Sequence, residues 1–220
     1  VVSDIQDTYA ETCLQLGYIE KMLGSRGLSI AGNCVRTWFF VQNIDVNYDA
    51  VVRARRDNFS ANGLTESTHY ISSTGIGGRH ASKDVTSILD AYCVDHLEDG
   101  QMTYLYASHC MNRTSDYGVT FERGTCIDYA DRRHVIISGT ASIDSKGAIV
   151  AEGDIVAQAS RMIHNVEALL DEAGASTKDI SHIVCYLRDA ADCRAVDEIM
   201  RSRFPGIPCL ITLAPVCRPG

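Results

Sequence analysis

An internal repeat is the feature that most constrains how this chain of 220 residues folds. Residues of the same type recur at a single offset of 150 positions: Asp4-Ile5 with Asp154-Ile155, Gly24 with Gly174, and Ile30 with Ile180. Self-similarity at a fixed offset is typical of a supersecondary unit that is encoded twice. The sequence therefore predicts two tandem units of similar architecture.

Both copies contain the pattern of an amphipathic helix in the same register. Their stripes advance by three and four residues, as expected for one buried helix face. The first stripe is Ile5, Tyr9, Thr12, Leu16, Ile19 and Leu23, and the second is Ile155, Ala159, Met162, Val166, Leu169 and Ala173. Gly24 and Gly174 follow them, where a helix C-cap favours a residue that tolerates positive φ.

After each of these helices the patterns predict a strand, a second helix and another strand. In the first copy they cover residues 34–41, 49–61 and 68–72, and in the second 183–187, 191–204 and 209–213. Further strands are predicted at 85–94, 101–107, 117–129 and 134–139, with a turn at 145–147 leading to a short strand at 148–150. The fold class predicted is α+β, with two helices on one face of a mixed sheet in each unit.

The expected domains are residues 1–112, the first unit with its connecting strands, and 113–220, the second unit. The first unit lacks the opening strands of the second, and the second stops where a closing strand is expected. Both units are therefore expected to be incomplete relative to the full architecture.

Composition excludes several classes of protein. A net charge of −8 argues against a nucleic-acid surface, and no apolar run is long enough to span a bilayer. The start of the sequence lacks the features of a signal peptide. The nine cysteines form no CxxC pair, and the histidines show no metal spacing. We expect a cytoplasmic protein without membrane contacts, disulfide framework, metal or cofactor.

From residue 135 onward, many motifs follow one another in order: ISGTASID at 137–144, GAIV at 147–150, NVEALL at 165–170, YLRD at 186–189, Phe204-Pro205 and VCRP at 216–219. This string closely resembles the Rid family, also called YjgF-like, endoribonuclease L-PSP or translation initiation inhibitor. With VRTWFFVQNID at 35–45 and STGIG at 73–77, the tandem arrangement is similar to the chorismatase branch. Those enzymes hydrolyse chorismate and release pyruvate.

The resemblance implies a chorismate mutase-like fold in each unit. It also implies assembly as a homotrimer or other homo-oligomer, with ligand pockets in the clefts between units. The expected ligand is a small carboxylate.

Three segments are candidates for the binding site. Strand alternation places Phe121 and Arg123 on one face, where a guanidinium beside an aromatic ring suits a carboxylate. The pattern alone favours a surface ion pair for Arg123, whereas the resemblance places it toward the substrate. Residues Gly139, Thr140 and Ala141 form either a pocket wall, as in chorismatases, or an ordinary strand end. The pair Cys217 and Arg218 resembles a pocket wall too, although Cys217 could simply end a strand.

The chain departs from the family in two respects. Imine-hydrolysing Rid deaminases carry an arginine at the position of Leu210 and a tyrosine at that of Phe121. The acidic proton donor of chorismatases falls beyond Gly220, so the catalytic residue is unknown. We therefore expect a hydrolase that acts on a small carboxylate with an enol-ether, enamine or imine group. The alternative is a non-catalytic ligand-binding or regulatory protein, and RNA cleavage fits the acidic charge least.

Overall fold

The structure is a computed structural model that describes residues 7–217. Two helices precede the first strand, and a long helix separates that strand from the next. The elements of the first half are α1 (Thr8–Gly24), α2 (Ile30–Asn33), β1 (Cys34–Val41), α3 (Ile44–Ala61), β2 (Ser72–Gly77) and β3 (Ser87–Cys93).

The second half begins with three strands and continues with the repeated helices and strands. Its elements are β4 (Met102–Leu105), β5 (Gly124–Asp128), β6 (Arg133–Ile137), α4 (Ile155–Glu172), β7 (Ile183–Leu187), α5 (Cys193–Arg203) and β8 (Cys209–Leu213). Short 3-10 turns lie at Thr114–Tyr117, Thr177–Asp179 and Ala190–Asp192. No helix within 7–217 combines the length and the apolar character that crossing a membrane requires.

The strands form three small sheets, in the orders β2-β1-β3, β4-β5-β6 and β7-β8. Strand β1 is parallel to β2 and antiparallel to β3, and β7 is parallel to β8. The helices α1 and α3 pack on the first sheet, while α4 and α5 pack on the strands of the second half. The predicted α+β class and the two-unit arrangement are confirmed, and the boundary at residue 112 stays a prediction.

Each half buries the apolar stripe that its helices share with a central strand. In the first half the core is formed by α1, β1 and α3, through residues such as Leu16, Phe39, Val41, Val51 and Phe59. In the second half, Leu169 of α4 packs under the β4-β5-β6 sheet, and Ile163 packs with β7 and α5. The predicted stripe is buried from Thr12 to Leu23 in α1. In α4 its members Met162 and Val166 are only half-buried, and Ile163 lies in the core instead.

The second strand of the first unit lies later in the chain than predicted. Residues 68–71 are irregular, and β2 continues through Gly75 and Gly77, a glycine-rich stretch that is typical of a loop. A Cβ atom at Gly75 would lie 2.4 Å from the Tyr48 ring, and one at Gly77 would lie 2.7 Å from Pro215. These glycines permit close packing in a strand, and neither has a positive φ.

The first strand of the second unit is shorter than predicted. Strand β5 begins only at Gly124, because Arg123 lies on a bend and the Thr114 hydroxyl donates a hydrogen bond to the Phe121 carbonyl. The predicted strand at 148–150 is reduced to one bridge between Ile143 and Ile149. Strict alternation of faces therefore does not apply to residues 120–123.

The helix ends differ between the copies. Gly174 follows α4 with φ 68°, as predicted. Gly24 is instead the last residue of α1, and Gly27 takes the positive φ of 73°. The first copy therefore turns three residues later than the repeat predicted.

Strand β2 joins the two halves through its backbone. The amide of Gly139 donates to the Ser73 carbonyl at 3.1 Å, and the amide of Glu122 donates to the Ile71 carbonyl at 3.2 Å. At the other end, the amide of Gly77 donates to the Pro215 carbonyl at 2.6 Å. The candidate site lies around this strand.

Candidate functional site

An open cleft of about 530 Å³ lies between α3, residues 117–119 and Cys217, the last residue that the structure describes. One wall carries Tyr48, Tyr117 and Cys217. Charged side chains of both signs line it further: Asp45, Asp49, Arg56 and Arg188. Its volume is in the range of small-molecule sites in proteins.

The cleft has a buried phenol and a charged pair that joins the units. Burial raises the pKa of Tyr48, whose side chain also interacts with Cys217. The Arg188 guanidinium donates two hydrogen bonds to Asp45, at 2.8 and 3.1 Å, and lowers the pKa of that carboxyl. Since Asp45 belongs to α3 and Arg188 follows β7, this pair links the first unit to the second at the cleft.

Two buried guanidinium groups lie near the Phe121 ring. Arg123 is 5.5 Å from the Phe121 ring centroid and 5.7 Å from that of Tyr117, and it donates to the Asn112 carbonyl at 2.9 Å. Arg55 is 5.8 Å from Phe121 and donates to Thr120 at 3.1 Å. Phe121 and Arg123 are therefore in contact, although no regular strand aligns them.

Gly139 faces a different side chain of β2. A Cβ atom there would lie 3.3 Å from the Thr74 side chain. The Thr140 hydroxyl donates to the Ser138 carbonyl at 3.0 Å, and the Ala141 carbonyl accepts from Asn165 at 3.0 Å. Of the residues predicted to form a pocket wall at 139–141, Gly139 thus lies beside Thr74.

A buried arginine that the sequence analysis missed lies next to Thr74. Arg36 of β1 is 5% exposed, and its Nη2 donates to the Thr74 hydroxyl at 2.5 Å. Within residues 7–217, its Nε and Nη1 atoms have no hydrogen-bond partner. Burial lowers the pKa of Arg36 to about 10, and the side chain interacts electrostatically with Tyr186. The Nε and Nη1 donors of Arg36 are thus available to bind an anion.

Glu122 is a second buried ionisable group that the sequence analysis missed. Its carboxylate accepts a hydrogen bond from the Tyr70 amide at 2.8 Å, and burial raises its pKa. The surroundings are aromatic, with the His69 ring stacked on Tyr104 and the Arg113 guanidinium over Tyr106. The sequence signal that could have identified Glu122 is its position between the candidate residues Phe121 and Arg123.

Comparison with known proteins places the second half in a family. Residues 127–214 match the family model described as Endoribonuclease L-PSP. A RutC family protein of Pyrococcus abyssi is 34% identical over 70 residues, which are 32% of this chain and 55% of that protein. The 3-aminoacrylate deaminase RutC of Acinetobacter baylyi is 32% identical over 71 residues, 32% of this chain and 56% of that protein.

The second half of the chain is thus similar to the Rid superfamily. A chorismatase crystal structure matches 95% of this chain with a TM-score of 0.75 at 19% identity, which shows that the fold is shared across both Rid-like units. The chain spans 66% of that structure and little more than half the length of the curated relatives.

The predicted site residues fall into two groups. Arg123 contacts Phe121 and the cleft residue Tyr117, and Cys217 lines the cleft. Gly139, which Thr140 and Ala141 follow, lies instead beside Thr74, and Thr74 accepts a hydrogen bond from Arg36. Arg218 lies outside the described residues. No group of three or more His, Cys, Asp or Glu side chains within 7–217 could hold a metal ion.

Proposed function

We propose that this Rid-superfamily chain is a hydrolase that acts on a small carboxylate with an enol-ether, enamine or imine group. The observation that carries the proposal is the buried guanidinium of Arg36, whose Nε and Nη1 atoms lack partners within the described chain. A buried cation without a counter-ion favours an anionic ligand, and a guanidinium binds a carboxylate through two parallel hydrogen bonds.

The location of Arg36 supports this role. Thr74 lies between it and Gly139, where the absence of a side chain lets the Thr74 side chain approach the backbone closely. Arg123 already donates to the Asn112 carbonyl and lies behind Tyr117. We therefore place the first carboxylate contact at Arg36, and we propose Arg123 and Cys217 as residues of the cleft wall.

The relatives with named activities support the substrate class. One is a 3-aminoacrylate deaminase, an enamine-hydrolysing enzyme by its name, and the other is a chorismatase. Both reactions need a proton donor, because water adds to a carbon made electrophilic by protonation. We assign that donor to no residue of 7–217, since the Glu122 carboxylate accepts from the Tyr70 amide in a separate aromatic environment.

Turnover assays with two substrates test the proposal. The purified chain is incubated with chorismate, followed by pyruvate release, and with 2-iminoacids, followed by 2-oxoacid release. Arg36→Met is expected to lower kcat/KM on the order of 100-fold, because two charge-assisted hydrogen bonds are lost. The matched control is Arg26→Met, which removes an exposed guanidinium that donates to the Met22 carbonyl. Absence of turnover with every substrate would contradict a hydrolase.

A non-catalytic ligand-binding protein is the second candidate. The observation in its favour is Leu210, which is 60% exposed at the start of β8 where the resembling deaminases carry an arginine. This candidate predicts saturable binding of chorismate by calorimetry without turnover, and loss of that binding in Arg36→Met. The expected homo-oligomer is proposed for either candidate, and the exposed Val184, Leu210 and Leu213 of β7 and β8 support it.

A further inference from the structure

Two free cysteines face each other across the first sheet. Cys34 begins β1, and Cys93 ends the antiparallel strand β3, where the two residues are direct register partners. Cys34 is buried in the core of the first unit, and Cys93 is partly exposed at its border. A small oxidant therefore reaches Cys93 from solvent, while Cys34 lies behind it.

The backbone pattern around this pair decides which kind of register partners they are. The amide of Val94 donates to the Asn33 carbonyl at 2.9 Å. This bond joins the residue after Cys93 to the residue before Cys34, as in a pair without hydrogen bonds of its own. In such pairs the Cα atoms are about 4.5 Å apart and the side chains approach closely. Disulfides span Cα separations of about 4.4–6.8 Å, so the backbone already suits a bond between these sulfurs.

We propose that Cys34 and Cys93 are a redox-active pair that closes into a cross-strand disulfide when the chain meets a peroxide. The Cys93 thiolate attacks one peroxide oxygen, the O–O bond breaks, and Cys93 sulfenic acid and hydroxide form. The Cys34 sulfur then attacks the Cys93 sulfur and displaces hydroxide, which takes up the thiol proton. Overall, two thiols and one hydrogen peroxide give one disulfide and two water molecules.

The interaction between the two thiols supports this order of attack. Hydrogen bonding to Cys34 lowers the pKa of Cys93, while the same interaction and burial raise the pKa of Cys34. Thiolate therefore forms first at the exposed partner, and the thiolate is the nucleophile in both oxidation and exchange. The buried Cys34 resolves the sulfenic acid from the side that solvent does not reach.

The pair lies next to the proposed ligand contact. The β1–β3 register shifts between Cys34 and Arg36, because Cys34 pairs with Cys93 and Arg36 pairs with Tyr92. Such irregularities re-aim side chains next to functional sites. A disulfide at Cys34 fixes one end of this irregularity. Oxidation is therefore expected to change the orientation of the Arg36 side chain. The disulfide itself is proposed on the strand geometry and does not depend on the proposed hydrolase function.

Peptide mapping after oxidation tests the proposal. The full chain is treated with hydrogen peroxide, its remaining thiols are blocked with N-ethylmaleimide, and the digest is analysed by mass spectrometry. We expect a Cys34–Cys93 cross-linked peptide that dithiothreitol removes, and a loss of two more titratable thiols than in Cys93→Ser. Stapling 34 to 93 is also expected to raise the Tm of the oxidised chain, because the unfolded chain is constrained.

Cys185 and Cys209 are the matched control within the same molecule. They lie on neighbouring strands, but their register partners are Ile211 and Ile183, respectively. They are expected to give little cross-link under the same conditions. Two results would overturn the proposal: oxidation of the exposed Cys193 without any Cys34–Cys93 peptide, or equal amounts of the two cross-links. Either reading comes from the wild-type chain, so it does not depend on the folding of a variant.

Discussion

The two units use the same central strand in different surroundings. In the first unit, β1 lies between β2 and β3, and six of its eight residues are buried. In the second, β7 pairs only with β8 among the described residues, and only Cys185 and Leu187 are buried. The repeat therefore sets the order of helices and strands in both units. The number of neighbouring strands decides how many residues of the central strand are buried.

Equivalent positions of α1 and α4 carry side chains of opposite charge, and both side chains bind a neighbouring backbone segment. Glu11 of α1 accepts hydrogen bonds from the Thr86 amide and hydroxyl and from the Ser87 amide, at 2.8, 2.6 and 3.0 Å. Arg161, at the equivalent position of α4, donates to the Ile143 and Cys110 carbonyls at 3.0 and 2.8 Å. Each side chain binds its helix to a neighbouring backbone segment. Glu11 accepts hydrogen bonds, whereas Arg161 donates them to backbone carbonyls.

The central strands also carry different side chains at an equivalent position. Arg36 of β1 and Tyr186 of β7 are equivalent in the repeat, and they interact electrostatically. The first unit supplies a buried cation and the second a half-buried phenol. The duplicated fold thus brings unlike groups together at equivalent positions of the two units.

Removing the two helix anchors is expected to give the largest difference between the units. Glu11→Ala leaves two backbone amides without an acceptor near a buried strand end, so it is expected to lower the free energy of unfolding by roughly 3–5 kcal/mol. Arg161→Ala is expected to lower it by about 1–2 kcal/mol, because water reaches the half-buried site. Urea denaturation measures both.

The exposed Glu198→Ala, which breaks an i,i+4 pair with Arg194, is the control and is expected to have little effect. Equal losses in Glu11→Ala and Arg161→Ala would show that the two anchors are equivalent despite their different burial.

The pH dependence of stability is expected to distinguish Glu122 from the exposed carboxylates of the second unit. Because burial raises the folded pKa of Glu122 above its ordinary 4.5, folding favours its protonated form. Its contribution to stability is full below pH 4.5 and is lost as the pH rises through the folded pKa. Asp128 and Asp179, whose pKa is lowered by Arg133 and Ser176, contribute oppositely and lose stability below pH 3.8.

Thermal unfolding of wild type and Glu122→Gln across pH 3 to 8 checks this sign. The stability difference between them is expected to move in favour of Glu122→Gln as the pH rises through this window. A difference that is independent of pH would contradict a raised pKa at Glu122.

The ion pair between the units is expected to have the smallest effect. Asp45 and Arg188 are both substantially exposed, so solvent screens their attraction. A double-mutant cycle of Asp45→Asn and Arg188→Met is expected to give a small coupling that decreases with added salt. A coupling that persists at high salt would show that this pair clamps the units strongly.

Local patterns predicted the elements whose buried faces are set by periodicity. The stripe through Leu16 and Ile19 predicted α1, the one through Leu169 predicted α4, and β-rich runs predicted β1 and β7. Strand β2 was placed too early because Gly75 and Gly77 are typical of loops, whereas packing against Tyr48 and Pro215 requires them in a strand.

The site was predictable only where a resemblance or a local pattern pointed to it. The contact of Phe121 with Arg123 follows from their closeness in sequence. Arg36 was missed because a charged residue in a strand suggests an exposed face, and its burial depends on Thr74 and on the approach of the second unit. Such tertiary burial leaves no signal in a single sequence.

The backbone bonds that β2 makes to the second half have a consequence for assembly. The chain itself tethers the partners of Ser73 and Gly77, so this seam forms at an effective concentration set by the connecting residues and is insensitive to dilution. Chains that form such a contact between separate subunits lose it when diluted. A duplicated chain therefore keeps one complete interface as a monomer, whatever its concentration.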